Sequence, residues 1–284
     1  VLETLTRIQT IRDRVRAWRQ NGLRVGFVPT MGNLHRGHLS LVEQARAAAD
    51  RVVVSVFVNP LQFGPNEDFD RYPRTIEHDT ELLAGAKADV LFAPTTFEMY
   101  PNGYERSARV DVPDLAGILE GHVRPGHFEG VATVVTKLFQ IVQPDVAVFG
   151  EKDYQQLVIV RRLVQDLCMP IAVLAGATVR DHDGLAFSSR NRYLSARERN
   201  VAPRLRDALH VARKALLEGE RNYDALQLAG LRDLQKAGFA PDYFSIRQAA
   251  DLLPPREDTR EVVVLAAGRL GTTRLLDNVR VQIR

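Results

Sequence analysis

Two histidines three residues apart, His35 and His38, stand in the string Val28-Pro-Thr-Met-Gly-Asn-Leu-His-Arg-Gly-His38. The string follows an apolar run that reads as a strand and leads into a helical pattern. Gly32 and Gly37 permit close backbone approach there. A helix amino end at such a place offers free N–H groups and the positive end of the helix dipole to a phosphate. A spacing of three puts both imidazoles on one side of the first turn. Two imidazoles beside a triphosphate can stabilise charge that grows on the α-phosphate during substitution. The same spacing also suits histidines that merely cap a helix. Zinc would need further ligands, and the chain has one cysteine and no obvious third partner. Gly-Lys-Ser/Thr occurs nowhere in the chain, which argues against a P-loop kinase.

Three further groups have chemical potential. Phe149-Gly-Glu-Lys-Asp153 again lies between a strand and a helix. Gly150 allows a tight turn, and Lys152 brings a charge to the same sheet edge; the plain alternative is a solvated surface lysine. Asp181-His-Asp-Gly-Leu-Ala-Phe-Ser-Ser-Arg-Asn191 places two hydroxyls before Arg190. That is a phosphate clamp with a bidentate guanidinium, or an ordinary loop rich in turn formers. Asn59-Pro-Leu-Gln62 follows the second apolar strand, and Gln156 follows Lys152. Neutral amides suit a substrate with a carboxylate and hydroxyls, because they orient it without neutralising a nucleophile. Each of these amides alone also reads as a turn or surface residue.

The elements that must position these groups alternate. Residues 23–28, 52–58, 89–92, 146–149 and 171–174 read as short apolar strands. Residues 37–49, 75–86, 129–142 and 154–167 read as helices. Such alternation predicts a Rossmann-like α/β fold, a mostly parallel sheet with helices on both faces. In such sheets ligands bind at the carboxyl ends of the strands. Leu5, Ile8, Ile11, Val15 and Trp18 recur at helical spacing and predict an amphipathic amino-terminal helix. Residues 59–74 are too long and polar for a simple connection, which marks a functional loop. Ser195-Ala-Arg-Glu198 fits a capping box that opens a new helix. Helical stretches follow at 196–217 and 223–237, then β-like runs at 243–246, 262–266 and 278–283. The division expected is a catalytic domain over 1–180 and a smaller carboxyl-terminal α+β domain over 181–284.

Composition narrows the class. The chain has 284 residues, 45% of them hydrophobic and 26% charged, which is ordinary for a globular protein. Cys168, the single cysteine, excludes an internal disulfide and reads as a small buried apolar residue. The net charge of +3 comes without a Lys/Arg block, so no nucleic-acid arm is expected. The apolar runs are too short to span a bilayer, and the Arg-rich start lacks a signal peptide's apolar stretch. The expected location is the cytoplasm.

Together the motifs resemble the pantothenate synthetase family, within the nucleotidyltransferase superfamily. Residues 29–38, 57–75, 124–138, 143–167 and 183–194 carry the resemblance. It continues weakly through Phe244-Ser-Ile-Arg247 and residues 274–278. Residues 31–38 stand for the family's His-x-Gly-His-like element and 187–190 for its Lys-Met-Ser-Lys-Ser-like element. The resemblance implies joining of pantoate to β-alanine with ATP, by way of a pantoyl-adenylate. It implies that His35, His38 and Lys152 are catalytic and, with Ser188, Ser189 and Arg190, contact ATP phosphates. Met31, Gly32, Gly37, Gly150, Glu151, Asp153, Val179 and Phe187 would line the nucleotide site. Gln62, Gln156, Asn59 and Arg124 would serve the substrates. Mg²⁺ would be bound mainly through the ATP phosphates, residues 64–75 would form a lid, and the chain would be a homodimer. Phe187 stands where Met or Leu is expected, and Arg36 where an acid is common; Arg36 is expected to face solvent. The rivals are a nucleotidyltransferase acting on a phosphate acceptor, a class I aminoacyl-tRNA synthetase, and a non-catalytic nucleotide- or nucleic-acid-binding module. Gln62 and Gln156 argue against a phosphate acceptor, which would favour Arg or Lys. The chain leaves little room for an anticodon-binding module. A non-catalytic module would have no need of Lys152 and both histidines.

Overall fold

Short β-branched runs alternating with amphipathic stretches become an open parallel sheet in a computed structural model that describes residues 2–65, 67 and 69–283. The chain divides into two units, Val1–Glu151 with Ile159–Ala177, and Lys152–Val158 with Thr178–Arg284. The first unit runs β1 (Glu3–Leu5), α1 (Ile8–Gln20), β2 (Val25–Thr30), α2 (Arg36–Ala48), β3 (Arg51–Val56), α3 (Ile76–Gly85) and β4 (Val90–Phe92). It continues through α4 (Thr96–Met99), α5 (Glu120–Val123), α6 (His127–Val142) and β5 (Val146–Gly150). Helix α7 (Tyr154–Asp166) then leads to β6 (Ala172–Gly176). The six strands pair in the order β1-β4-β3-β2-β5-β6, every pair parallel. The order turns around between β2 and β5, the place where an open α/β sheet leaves a crevice at its carboxyl edge.

Strand alternation sorts the core into two layers. Val28, Val52, Val54, Leu91, Val146 and Val148 pack with Leu41, Val42 and Ala45 of α2 and Leu83 of α3. The opposite side carries aromatics: Phe139 of α6 meets Phe27 of β2 and Phe149 of β5 edge-on, at 6.3 and 6.2 Å between ring centroids. Burial on both faces explains why these strands are almost wholly apolar. Register is fixed at the amino edge by aspartates that precede strands. Asp50 accepts from Arg24 N–H at 2.8 Å, Asp89 from Val52 N–H at 2.8 Å, and Asp145 from Val25 N–H at 2.7 Å. Each carboxylate thus ties its own strand to the neighbour.

The second unit holds α8 (Ala196–Val201), α9 (Arg204–Leu217), α10 (Tyr223–Lys236), β7 (Ala240–Gln248), β8 (Glu261–Leu270) and β9 (Thr273–Gln282). The strands form an antiparallel sheet in that order. Leu205, Leu209, Leu216 and Leu234 of the helices pack with Phe244, Ile246, Val262 and Val264, alternate residues of the strands. Leu270 pairs with Thr273 across a two-residue turn, and Gly271 takes φ +58° there. The Ser195 capping box is present: Glu198 N–H donates to Ser195 Oγ at 3.3 Å and Ser195 N–H to Glu198 Oε2 at 2.7 Å.

Four expectations need correcting. Leu5 belongs to β1, which pairs with β4, and the amino-terminal helix starts only at Ile8. The helix expected over 196–217 is two helices, broken around Pro203, which has no N–H to donate. The carboxyl-terminal strands are much longer than their apolar cores, because antiparallel pairing continues into polar ends. Cys168 is exposed, at φ +51°, where the chain turns out of α7. Arg36 is exposed as expected. Among the described residues no helix is long and apolar enough to cross a membrane.

One close approach sets where α6 lies. A Cβ added to Gly130 would overlap the Leu61 carbonyl and come within 2.7 Å of Gln62 N. Gly130→Ala should therefore destabilise the protein by about 1–3 kcal/mol, as overpacking does. Urea midpoints of the two proteins check this; an unchanged midpoint would mean that the 60–62 turn moves away at no cost.

Candidate active site

The loop from β2 to α2 is built by a buried carboxylate. Gly32 and Asn33 both take positive φ, +83° and +51°. The tight course is held by Asp79 of α3, which is wholly buried. Its oxygens accept from Asn33 N–H at 3.0 Å, Leu34 N–H at 2.8 Å and Thr75 Oγ1 at 3.2 Å. Gly32 is required twice, since a Cβ there would lie 2.9 Å from Val56 Cγ1 and 3.0 Å from Asp79 Oδ2.

That loop delivers His35 and His38 to the start of α2 as a capping box made of imidazoles. Gly37 N–H donates to His35 Nδ1 at 3.2 Å, and His35 N–H donates to His38 Nδ1 at 3.3 Å. The rings lie 4.1 Å apart at 30°. Because both Nδ1 atoms accept from backbone, the proton of each neutral ring sits on Nε2. Each Nε2 is therefore a donor, at a helix amino end. The capping reading of the sequence is borne out, and capping fixes the tautomer of each ring.

Across the β2–β3 edge, the turn over Pro60–Gln62 carries the amides. Asn59 is 1% exposed and all its bonds are internal. Its Nδ2 donates to Gly130 O at 3.1 Å and to Gln62 Oε1 at 3.3 Å, while its Oδ1 accepts from the Tyr100 hydroxyl at 2.8 Å. Gln62 Nε2 points at Met31 Sδ, 3.1 Å away. The Gln62 backbone is gripped as well. Its carbonyl accepts from His127 Nδ1 at 2.8 Å and from Arg124 Nη2 at 3.3 Å. Arg124 also forks onto Glu67, at 2.6 and 2.5 Å, and donates to His127 Nε2 at 3.1 Å.

The charges in this cluster are consistent. Burial first, and the Arg124 charge second, push the His127 ring down to about 4. The ring is therefore neutral, with its proton on Nδ1 for the carbonyl and Nε2 free to accept from the guanidinium. Burial alone would raise the Glu67 carboxyl, but the hydrogen bond and charge of Arg124 hold it below its ordinary value. Arg124 is thus spent on Glu67, His127 and Gln62. Around it, Phe63 meets Phe69 and Tyr72 edge-on at 5.3 and 5.8 Å, and Arg74 lies 5.5 Å from the Phe69 ring. Two residues of the lid expected over 64–75, Asn66 and Asp68, lie outside the described residues.

In the second unit, Lys152 lies two residues beyond the end of β5. Its ammonium is 3.4 Å from Asp153 Oδ1, and its carbonyl accepts from Asn278 Nδ2 at 2.9 Å. Gln156 sits half-buried one turn further on in α7. Val179 and Phe187 pair in a small hairpin, Phe187 N–H donating to Val179 O at 3.0 Å. Arg180 locks that hairpin through a fork onto buried Asp277, at 2.6 and 2.9 Å. Arg199 of α8 ties down its tip by binding Asp181 at 2.7 Å and Asp183. Ser188 then caps the short 3-10 turn over Ser189–Tyr193, accepting from Arg190 N–H at 3.3 Å.

The structure brings together His35 with His38, Met31 with Gln62, and Asn59 and Arg124 with Gln62. It also joins Lys152 to Asp153, and Ser188 to Arg190. Sequence reading missed Asp79, Tyr100, Glu67, His127 and Asn278. Asp79 has one legible signal, an acid in the first turn of a helix; its bond to a loop 45 residues earlier has none.

Comparisons with known proteins agree with one another. A sequence model of the family described as Pantoate-beta-alanine ligase matches residues 3–280. The chain is 53% identical over 283 residues to the pantothenate synthetase of Nitrosococcus oceani, covering 100% of this chain and 99% of that one. It is similar to the crystal structure of pantothenate synthetase from Thermus thermophilus, at TM-score 0.89 and 48% identity over 98% of both chains. It is also similar to the pantoate-beta-alanine ligase of Francisella tularensis, at TM-score 0.79 and 32% identity over 98% of this chain and 97% of that one. The Francisella protein is described as complexed with beta-gamma ATP and beta-alanine.

Asp79→Asn replaces an acceptor with a donor facing an N–H or hydroxyl donor. It should cost about 2–3 kcal/mol of stability, as loss of a charged buried hydrogen bond does, and lower turnover through the displaced His pair. Denaturation paired with steady-state rates checks both. His127 adds a pH dependence. Its folded pKa, about 4, is below the 6.5 of an unfolded chain. Between those values the unfolded state binds the extra proton, so stability is full above pH 6.5 and is lost as pH falls towards 4. The loss should be on the order of 2 kcal/mol, allowing for partial solvent access to the ring. Urea midpoints from pH 7 to 4 measure it, and His127→Asn, which does not titrate, should flatten that part of the profile.

Proposed function

The chain belongs to the pantoate–β-alanine ligase family and makes pantothenate from pantoate and β-alanine, and we propose that it does so through a pantoyl-adenylate, consuming ATP and releasing AMP and pyrophosphate. The observation that carries this reading is the imidazole cap, with both Nδ1 atoms engaged by backbone and both protons directed to Nε2. The sequence also lacks a Walker A cradle, so no P-loop holds the β- and γ-phosphates. With family membership established, the phosphate-acceptor reading falls away.

A carboxylate is a poor electrophile, so the acid must be activated before an amine attacks. A pantoate carboxylate oxygen attacks the α-phosphorus in line, and the bond to the β-phosphate oxygen breaks to release pyrophosphate. Holding the two in that pose removes up to about 7–11 kcal/mol of barrier. His35 and His38 donate to oxygens gaining charge, and Lys152 adds a cation. Ser188, Ser189 and Arg190 hold phosphates. Met31, Gly32, Gly37, Gly150, Glu151, Asp153, Val179 and Phe187 line the nucleotide. Gln62 and Gln156 hold pantoate. Asn59 and Arg124 act through Gln62, since their polar atoms are already committed to it and its neighbours. The neutral amine of β-alanine then attacks the acyl carbon, loses a proton, and expels AMP. Residues 64–75 keep water from the mixed anhydride meanwhile.

Mg²⁺ would be held mainly through the ATP phosphates, where it would supply positive charge for the leaving pyrophosphate. Among the described residues no three His, Cys, Asp or Glu side chains converge as a ready ligand set. The resemblance extends to a homodimer in the cytoplasm, which sedimentation and cell fractionation test.

The decisive experiment omits the amine. Enzyme, ATP, Mg²⁺ and pantoate should exchange labelled pyrophosphate into ATP, and leaving out pantoate should abolish the exchange. Formation of ADP, or exchange that strictly needs β-alanine, would sink the free adenylate. In the complete reaction His38→Ala and Lys152→Ala should each lower kcat about 10²–10³-fold, the usual cost of one transition-state donor. Their KM for ATP should change far less.

A further inference from the structure

β5 ends its pairing at Gly150, opposite Gly176 of β6, and Glu151–Asp153 then form a 3-10 turn before α7. Lys152 stands in the middle of that turn, and its ammonium is loosely held. It lies 3.4 Å from Asp153 Oδ1, a half-exposed carboxylate, and a pair of that kind is worth little. A flexible stem separates the cation from its backbone. What the fold can fix is therefore the root of the side chain. One bond does so across 126 residues of chain. The Lys152 carbonyl only accepts, so the Asn278 atom 2.9 Å away is Nδ2. A donor on that carbonyl restrains the main chain at the point from which the side chain leaves.

The donor is itself anchored. Asn278 is buried and lies in β9 opposite Leu265 of β8. Its N–H donates to Asp277 Oδ1 at 2.8 Å, and Asp277 is held in turn by the Arg180 fork. A second tie lies two residues beyond Lys152, where the buried Tyr154 hydroxyl donates to Ala249 O at 2.9 Å. Tyr154 opens α7, so that bond fixes the start of the helix, and the Asn278 bond fixes the turn before it. We propose that Asn278 is a positioning residue for Lys152, holding the main chain from which the ammonium reaches the α-phosphate. The proposal rests on the reading of Lys152 as a transition-state cation made above. Asn278 need not touch a substrate to act. Without its amide the carbonyl loses its donor, and the peptide unit turns towards water. The cation then spends less of its time where charge develops, and a small misplacement of such a group is costly. Contacts assigned to other residues stay, so turnover falls while binding is kept.

The test is a double-mutant cycle with Asn278→Ala and Lys152→Ala, read by single-turnover rates of AMP formation and by steady-state KM values. Asn278→Ala should lower the rate about tenfold, the worth of roughly one hydrogen bond. Its KM values for pantoate and ATP should stay within about twofold. In the Lys152→Ala background the same change should add less than about twofold, because the ammonium it positions is gone. An equal fall in both backgrounds would overturn the proposal, by making Asn278 a support of the turn as a whole. An unchanged rate in Asn278→Ala, with a lowered one in Lys152→Ala, would also overturn it and leave Lys152 in its role. An unchanged rate in Lys152→Ala would instead remove the assignment of Lys152 itself, and the proposal with it. Asn278→Ser, whose hydroxyl is too short to reach the carbonyl, supplies the same cycle if Asn278→Ala does not fold.

Discussion

β2 and β5 are joined before either can bring chemistry to an edge. Val25 N–H donates to Asp145 Oδ2 and Asp145 N–H to Val25 O, at 2.7 and 2.8 Å, across 120 residues of chain. The strands then run parallel, Gly26 opposite Val146 and Phe27 opposite Ala147. Parallel pairing means that both strands end on the same side. The loop carrying Met31, His35 and His38 leaves one of them, and Glu151 follows the other. A register slip of one residue would turn Phe27 and Phe149 away from Phe139 and towards the aliphatic layer under α2. The core therefore sets the edge at which the histidine loop and Gly150 emerge.

Within the first unit the groups assigned to chemistry are held by polar bonds that are saturated on the inner side. Asp79 accepts from two backbone N–H groups and a hydroxyl, and so shapes the loop before the histidines. The histidines spend their Nδ1 atoms on backbone. Gln62 has its carbonyl held by His127 and Arg124 and its Oε1 held by Asn59. The proton of each histidine then sits on Nε2, and the Gln62 amide nitrogen turns to Met31 Sδ. The low dielectric that makes these bonds strong also makes any unsatisfied member expensive. That is why neutral His127 and ionised Glu67 settle beside the same guanidinium.

The second unit solves a comparable problem by ion pairing. The hairpin from Val179 to Phe187 buries Leu185 in the core of that unit. Its base is forked by Arg180 onto buried Asp277, and its tip is tied by Arg199 to Asp181 and Asp183. The adjacent residue Asn278 fixes the carbonyl of Lys152. One β9 dipeptide, Asp277-Asn278, thus supports both the Lys152 turn and the loop that leads to Ser188.

The sequence by itself determined the alternation of strands and helices, the placement of His35 and His38 at a helix start, the Ser195 capping box and the family. These features depend on local pattern: apolar periodicity, glycine at turns, and motif residues a few positions apart. Tertiary structure decided the strand order, because parallel strands are joined through crossovers and their pairing partners are not neighbours in sequence. It decided that Leu5 lies in a strand, since Leu5 aligns with Phe92 across the sheet edge. It decided that Asn59 and Arg124 are committed inward, which no spacing of amides or cations reveals. It alone showed Tyr100, 41 residues from Asn59, as the donor to that amide, and Asp79, 45 residues from Leu34, as the anchor of the histidine loop. A buried polar group must find partners wherever the fold brings them, and those partners carry no local signature.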